Sequence, residues 1–187
     1  MAYFTGPNIV TDNLIFAIDA ASARSYPGSG TTATSLKGGI NGTLINGVTF
    51  DSSNEGSWEF DGVDQKITAP LTQTFTSALT VETWYKSTDA SRSHLWNFGT
   101  SSANNLNMNI NDSGRTAWVY WQSGGSNTVQ YTTPQLMDGE INHLVFVHEG
   151  STNKLYFNGV LLTPSSTGGT QTFSGIPGAS YNIGNSP

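Results

Sequence analysis

With 187 residues, a mass of 19.9 kDa and no cysteine, the chain has the size of one domain and lacks disulfides and thiolate metal sites. Its net charge is −6, its seven Lys and Arg form no basic stripe for nucleic acid, and no apolar run approaches the roughly 18 residues of a membrane span. Only 11% of residues are charged, against about 25% in an ordinary domain, and the wealth of Ser, Thr, Asn and Gly beside 11% aromatic residues points to short β-strands joined by polar turns.

Met1 to Pro7 has neither a basic segment nor an apolar core, so no signal peptide and synthesis in a cytoplasm are expected. Residues 1–12 read as an N-terminal arm and residues 13–187 as one domain. Leu14–Ile18 is five consecutive apolar residues, the pattern of a strand covered on both faces. Ala20–Gly39 carries Pro27 and several Gly among Ser and Thr, and predicts a long loop. Asn46-Gly47 and Asn158-Gly159 each stand between β-prone runs. Both predict two-residue hairpin turns, because Asn and Gly best tolerate the positive φ of a primed turn. Weaker hairpin signals fall at Ser113-Gly114 and Gly124-Gly125. The other predicted strands are Trp58–Phe60, Lys66–Ala69, Leu79–Lys86, His94–Phe98, Leu106–Ile110, Thr116–Trp121, Val129–Thr132, Asn142–His148 and Tyr181–Ile183. Leu79, Val81, Thr83 and Tyr85 share one face of their strand, and Thr80, Glu82, Trp84 and Lys86 the other. About a dozen short strands at close spacing make a sandwich or barrel.

The ordered segments at residues 13–21, 25–32, 41–44, 60–64 (Phe60-Asp61-Gly62-Val63-Asp64), 79–84 (Leu79-Thr80-Val81-Glu82-Thr83-Trp84), 142–147 and 155–160, closed by Ile183-Gly184, resemble the laminin-G-like jelly roll of the concanavalin A-like lectin/glucanase superfamily. The resemblance implies an all-β jelly-roll sandwich of two antiparallel sheets. With Gly6-Pro7-Asn8-Ile9-Val10 and Ser25-Tyr26-Pro27-Gly28-Ser29-Gly30, the chain looks most like domains of tailed-phage virion proteins. That likeness implies a non-enzymatic virion protein, decorating the capsid or associated with the tail, whose partners are other virion proteins in a homo-oligomer or lattice. The alternative is a carbohydrate-binding module or a receptor-binding domain for host glycans. The chain departs from the family's pattern in three ways. Gln65 and Lys66 stand where a second Asp and an aromatic are usual, and Ile141 stands where Trp is frequent. After Asn185-Ser186-Pro187 no closing strand follows, which is expected to leave Leu14–Asp19 with an open edge.

Glucanases of that superfamily carry Glu-x-Asp-x-x-Glu on one strand, and Glu59-Phe60-Asp61-Gly62-Val63-Asp64 imitates the spacing. Here Gly62 interrupts any strand and the last member is Asp, so no catalytic residue is assigned. Two readings stay open for Asp61 and Asp64: backbone caps of a turn, or oxygen ligands of a calcium ion, the one cofactor considered. His94, His143 and His148 do not make a zinc set, because His143 and His148 fall on opposite faces of one strand. The candidate ligand-binding residues are the aromatics Trp84, Trp96, Trp118, Tyr120 and Trp121. Trp118 and Tyr120 share a face and Trp121 lies opposite, so one face packs into the core and the other is left to offer a flat ring to a sugar or a neighbouring subunit.

Overall fold

The computed structural model describes residues 9–71, 73–88, 93–101, 104–111, 116–122, 126–132, 136–171 and 180–184. Among these residues fifteen strands form: β1 (Thr32–Thr34), β2 (Asn41–Ile45), β3 (Thr49–Asp51), β4 (Ser57–Glu59), β5 (Lys66–Ala69), β6 (Ala78–Tyr85), β7 (Ser93–Ser101), β8 (Asn104–Asn111), β9 (Thr116–Gln122), β10 (Ser126–Thr132), β11 (Asn142–Glu149), β12 (Thr152–Phe157), β13 (Val160–Leu161), β14 (Ser166–Gly168) and β15 (Tyr181–Gly184). They build a nine-stranded sheet in the order β1-β2-β5-β15-β7-β8-β9-β10-β14, a four-stranded sheet in the order β13-β12-β11-β6, and the small pair β3-β4. All pairings are antiparallel.

The two larger sheets are held together by the period of two along their strands. From the nine-stranded sheet, Trp96, Phe98, Leu106, Met108, Ile110, Val119, Trp121, Val129 and Tyr131 are buried in one cluster. Leu79, Val81, Leu144, Phe146 and Leu155 of the four-stranded sheet meet them there. A second, smaller cluster of Tyr26, Ala33, Leu44 and Ile67 fills the β1-β2-β5 end. The Tyr26 ring lies 5.4 Å from Phe50 and 5.6 Å from Trp58, which seats the β3-β4 pair on that end.

Asn158-Gly159 is the expected tight hairpin. Its residues have φ of +48° and +81°, and Phe157 pairs with Val160 across it. Asn46-Gly47 also turns with both φ positive, at +59° and +84°. It does not close a hairpin, because β2 pairs with β1 and β5 while β3 pairs with β4. Ser113-Gly114 and Gly124-Gly125 lie outside the described residues, although the strands flanking each are paired antiparallel.

The expected first strand does not form. Leu14–Ile18 is irregular and half-buried throughout. Ser35 and Ser25 side chains take the places of a partner strand: the Ala17 N–H donates to Ser35 Oγ at 3.3 Å and the Asp19 N–H to Ser25 Oγ at 3.0 Å. The Leu36 N–H adds a 2.8 Å bond to the Ala17 carbonyl. The apolar side chains divide between the two clusters, Ile15 and Phe16 against the larger and Ile18 against the smaller. An apolar run that serves two cores cannot also keep the single flat face a sheet needs. The four-stranded sheet ends in β13 on one side and in β6 on the other, and among the described residues β6 pairs with β11 alone. Within the expected loop, Thr32–Thr34 pairs with β2 as a short edge strand that the sequence pattern missed.

Replacing Gly159 with Val should destabilise the domain by about 1 kcal/mol or more, since a β-branched residue resists positive φ. No atom lies within 4 Å of the added Cβ, so the loss read from a chemical denaturation curve isolates backbone strain from any clash.

Candidate functional site

Two faces gather polar and aromatic side chains. The first is the side of the nine-stranded sheet that points away from the core, where the central residues Asn97, Asn107 and Asn182 are themselves buried at 4%, 6% and 4% exposure. Cross-strand register aligns one residue from each strand in a row: Thr32, Thr43, Thr68, Asn182, Asn97, Asn107, Tyr120, Thr128 and Gly168. Eight of these nine carry a hydrogen-bonding side chain and none is charged. The reason is local and lies in β8, where Asn105, Asn107, Asn109 and Asn111 alternate with the buried Leu106, Met108 and Ile110. Their amides form a ladder along the strand. Asn109 Nδ2 donates to Asn107 Oδ1 at 2.7 Å, and Asn107 Nδ2 to Asn105 Oδ1 at 3.4 Å.

The ladder leaves hydrogen-bonding capacity over. Asn109 is 1% exposed and Asn111 8%, yet neither Oδ1 has a hydrogen-bond partner, and the same holds for Nε1 of the half-buried Trp118 directly across from Asn109. Buried polar atoms left without partners cost about 1–3 kcal/mol each, and Trp58, Thr83 and Tyr131 carry others away from this face. Trp118 and Tyr120 share one face of β9 and are both half-buried.

The second surface is the outer face of the four-stranded sheet. Trp84 projects from β6 and is 66% exposed. Its cross-strand neighbour His143 stacks on it, with ring centroids 4.3 Å apart and 15° between planes. His143 Nε2 is 2.8 Å from Glu82 Oε1. The backbone of His143 is fixed by the turn described above: its N–H donates to Asn158 Oδ1 at 2.8 Å, and its carbonyl accepts from the Asn158 N–H at 2.9 Å. A tight hairpin therefore fixes a strand residue, that residue fixes an imidazole, and the imidazole holds an indole flat to solvent. Glu82 shares the face of β6 with Trp84, and the exposed Lys86 follows just beyond the end of the strand.

The five aromatics singled out in the sequence separate accordingly. Trp84 is exposed, and Trp118 and Tyr120 are half-buried on the outward side of β9. Trp96 and Trp121 do not, and as ligand-binding residues they are corrected to core: they are 1% and 0% exposed, each on the inward face of its strand. Trp96 packs edge-on to Phe98 at 5.7 Å and tilted against Phe146 at 6.2 Å, so its rings bridge the two sheets. The asparagines of β8 were missed as site residues, although their alternation with Leu, Met and Ile is plain in the sequence.

Asp61 caps a turn. Its Oδ1 accepts from the backbone N–H of Val63 at 2.9 Å and from those of Asp64 and Gln65 at 3.4 Å, while Gln65 Oε1 accepts from the Asp61 N–H. The Val63 amide foremost holds the Asp61 carboxyl below its ordinary range. Asp64 contributes its carbonyl to Asn46 Nδ2 at 3.3 Å. Among the described residues no group of three or more His, Asp or Glu is placed to hold a metal. Glu59 ends β4 and Asp61 lies in the turn after it, so the two carboxylates do not share a strand face. His148 is buried, with Nδ1 2.8 Å from Asn153 Oδ1.

Two antiparallel sheets packed face to face, with almost no helix, define the jelly-roll class. Residues 60–187, more than half of the sequence, match Laminin_G_3, and the chain belongs to this family of the concanavalin A-like lectin/glucanases superfamily. No curated protein sequence matches it. Among solved structures it is similar in fold to botulinum neurotoxin type C, described as entering cells through two ganglioside molecules. The TM-score is 0.68 at 8% identity, over 93% of this chain and 43% of the toxin chain, so this chain spans less than half of that protein. Carbohydrate-binding module CBM66 of Bacillus subtilis aligns with TM-score 0.46 and 16% identity over 77% of this chain and 91% of the module. Domains LG4-5 of the mouse laminin α1 chain give 0.47 and 15% over 66% and 37%.

Three carboxyls, Asp51, Asp61 and Asp138, sit below their ordinary range, held by the Ser53 hydroxyl, the Val63 amide and the Glu140 amide respectively. Each binds protons more readily in the unfolded chain, so its contribution is complete above the ordinary carboxylate range near pH 4 and is lost as pH falls through the depressed value. The melting temperature should therefore drop steadily below about pH 4. The drop should be smaller in Asp61→Asn, and calcium should leave the melting temperature of both proteins unchanged; a rise with calcium in the wild type alone would restore the ion-binding reading.

Proposed function

We propose that this domain recognises carbohydrate without hydrolysing it, and that Trp84 is the primary contact. The observation that carries the reading is the presentation of Trp84: a flat indole open to solvent on one side and held on the other by His143, which is itself held by Glu82 and Asn158. The C–H face of a pyranose ring stacks on such an indole, and a ring already immobilised loses little freedom on binding. Glu82 and Lys86, on either side, supply an acceptor and a donor for hydroxyl groups. Membership of a lectin/glucanases superfamily supports the ligand class. The separation of Glu59 from Asp61, and the amides occupying Asp61 Oδ1, support recognition without catalysis, since hydrolysis needs two carboxyls flanking one glycosidic bond.

The setting we propose is the surface of a tailed-phage virion, where a glycan-binding domain attached to other virion proteins would meet the host envelope. The support is the sequence resemblance of residues 6–10 and 25–30 to phage virion domains.

Binding to a panel of oligosaccharides, measured by calorimetry, tests the function. The wild type should bind at least one glycan without cleaving it, and Trp84→Ala should weaken that binding about tenfold or more, the loss of roughly 1.4 kcal/mol with the aromatic contact. His143→Ala should weaken it less, by freeing the indole. A wild type that binds no glycan, or a Trp84→Ala variant that binds as well as wild type, overturns the assignment to Trp84.

A further inference from the structure

We infer that Asn46-Gly47 is a site of spontaneous covalent modification, where the folded chain converts an asparagine to isoaspartate and aspartate, and that the fold shields the chemically identical pairs Asn41-Gly42 and Asn158-Gly159. The inference is independent of the reading of Trp84. The reaction is an attack by a backbone nitrogen on the side-chain amide that precedes it, with water as the second reactant. Gly47 N gives up its proton and bonds to Asn46 Cγ, the Cγ–Nδ2 bond breaks, and Nδ2 leaves with that proton as ammonia. Water then opens the five-membered imide. Addition at Cγ restores the main chain and leaves aspartate. Addition at the backbone carbonyl carbon of residue 46 leaves the main chain running through the side chain, as isoaspartate. Glycine hinders the attacking nitrogen least, because it has no side chain, so the sequence makes all three pairs reactive and the fold separates them.

Closing the imide requires the side chain to swing until Cγ meets the next nitrogen, and the backbone to rotate with it. At Asn158 both ends of the amide are held: Oδ1 accepts from the His143 N–H at 2.8 Å and Nδ2 donates to Asn142 Oδ1 at 2.9 Å. Its backbone is held as well, since its N–H donates to the His143 carbonyl at 2.9 Å and Phe157 pairs with Val160 across the turn. Asn41 and Gly42 are fixed in β2, in register with Thr34 and Ala33 of β1. Gly42 is buried so closely against Ile67 that an added Cβ would lie 2.8 Å from Ile67 Cγ2. Asn46 has neither restraint. Asn46 and Gly47 are both exposed, and among the described residues the Asn46 side chain makes one hydrogen bond, from Nδ2 to the Asp64 carbonyl at 3.3 Å. Its turn closes no hairpin, because β2 continues to β5 and β3 to β4.

The product alters its surroundings. A carboxylate at position 46 cannot donate to the Asp64 carbonyl, and it adds negative charge beside the turn that Asp61 caps. Isoaspartate also puts an extra methylene into the main chain next to the Gly47 carbonyl. That carbonyl accepts from Gln65 Nε2 at 3.0 Å, and Gln65 Oε1 in turn holds the Asp61 N–H. The damage therefore falls on the 61–65 turn, while the bonds that shield Asn158 keep the support of His143 intact.

The test incubates the intact 187-residue chain at physiological temperature and pH, beside a sample held unfolded in urea. Peptide mapping by mass spectrometry follows amide-to-acid conversion at each of the three asparagines, and an isoaspartate-specific methyltransferase with a labelled methyl donor detects isoaspartate. In the folded chain Asn46 should convert at least about ten times faster than Asn41 or Asn158, a barrier difference of roughly 1.4 kcal/mol. In urea the three rates should become comparable. Asn46→Gln, whose longer side chain would have to close a six-membered ring, should remove most of the methyl label from the folded protein. The inference is overturned if Asn46 keeps its amide over a period in which the unfolded chain reacts, or if Asn41 or Asn158 converts as fast as Asn46 in the folded chain. The same ranking in urea as in the folded state would also overturn it, because the fold would then not be the cause.

Discussion

Successive residues of a strand point to opposite faces, so Leu106, Met108 and Ile110 can enter the core between the sheets only if Asn107 and Asn109 face the other way. A one-residue slip of β8 would bring amides into a hydrocarbon core and turn three large apolar side chains outward, at a cost no local contact could offset. The register of this central strand is thereby fixed from within. Its neighbours inherit it, β7 and β15 on one side and β9 and β10 on the other, and the polar row across the sheet follows. The same constraint that builds the core thus assembles a neutral, hydrogen-bonding face behind it.

The four-stranded sheet presents its aromatic by a different route. There the determining element is a turn. Asn158 can adopt positive φ, which sends its side chain back to β11, where Oδ1 accepts from the His143 N–H and Nδ2 donates to Asn142 Oδ1 at 2.9 Å. Asn142 is in turn bound to Asp138 Oδ1 at 3.0 Å. The start of β11 is tied down by side chains as well as by its backbone ladder, and His143 is held within it. Trp84 takes its orientation from His143 across the β6-β11 pair. A surface tryptophan without such a backing would sample several rotamers and lose that freedom on binding.

The segment before β1 shows how two small cores compete for one stretch of chain. Ile15 and Phe16 pack on the larger cluster, with the Phe16 ring 5.7 Å from Tyr181, while Ile18 reaches the smaller one beside Tyr26. The serines at positions 25 and 35 satisfy the backbone in between. Here burial is shared between clusters and hydrogen bonding is supplied by hydroxyls, and the regular strand is lost.

Much of this was legible in the sequence, because the signals were local. Lys66–Ala69 was delimited by its β-prone residues alone, the alternation of Leu79 to Tyr85 assigned each residue to its face, and Asn158-Gly159 defined a hairpin through the φ that only such residues tolerate. Period two also showed that Trp118 and Tyr120 share a face opposite Trp121. It could not say which face was the core, since that depends on which sheet packs against it, and so Trp121 and Trp96 were counted among exposed candidates. Asn46-Gly47 marks a turn equally well in either role, but whether it closes a hairpin or passes the chain from one sheet to another is set by the partners of β2 and β3, which lie far along the sequence. Five apolar residues at 14–18 signalled burial correctly and a strand incorrectly, for burial is a property of composition whereas a strand needs a neighbour. The row from Thr32 to Gly168 has no counterpart in the linear sequence at all: its residues become adjacent only through the register of eight successive pairings, and that register is decided by the packing of the opposite face.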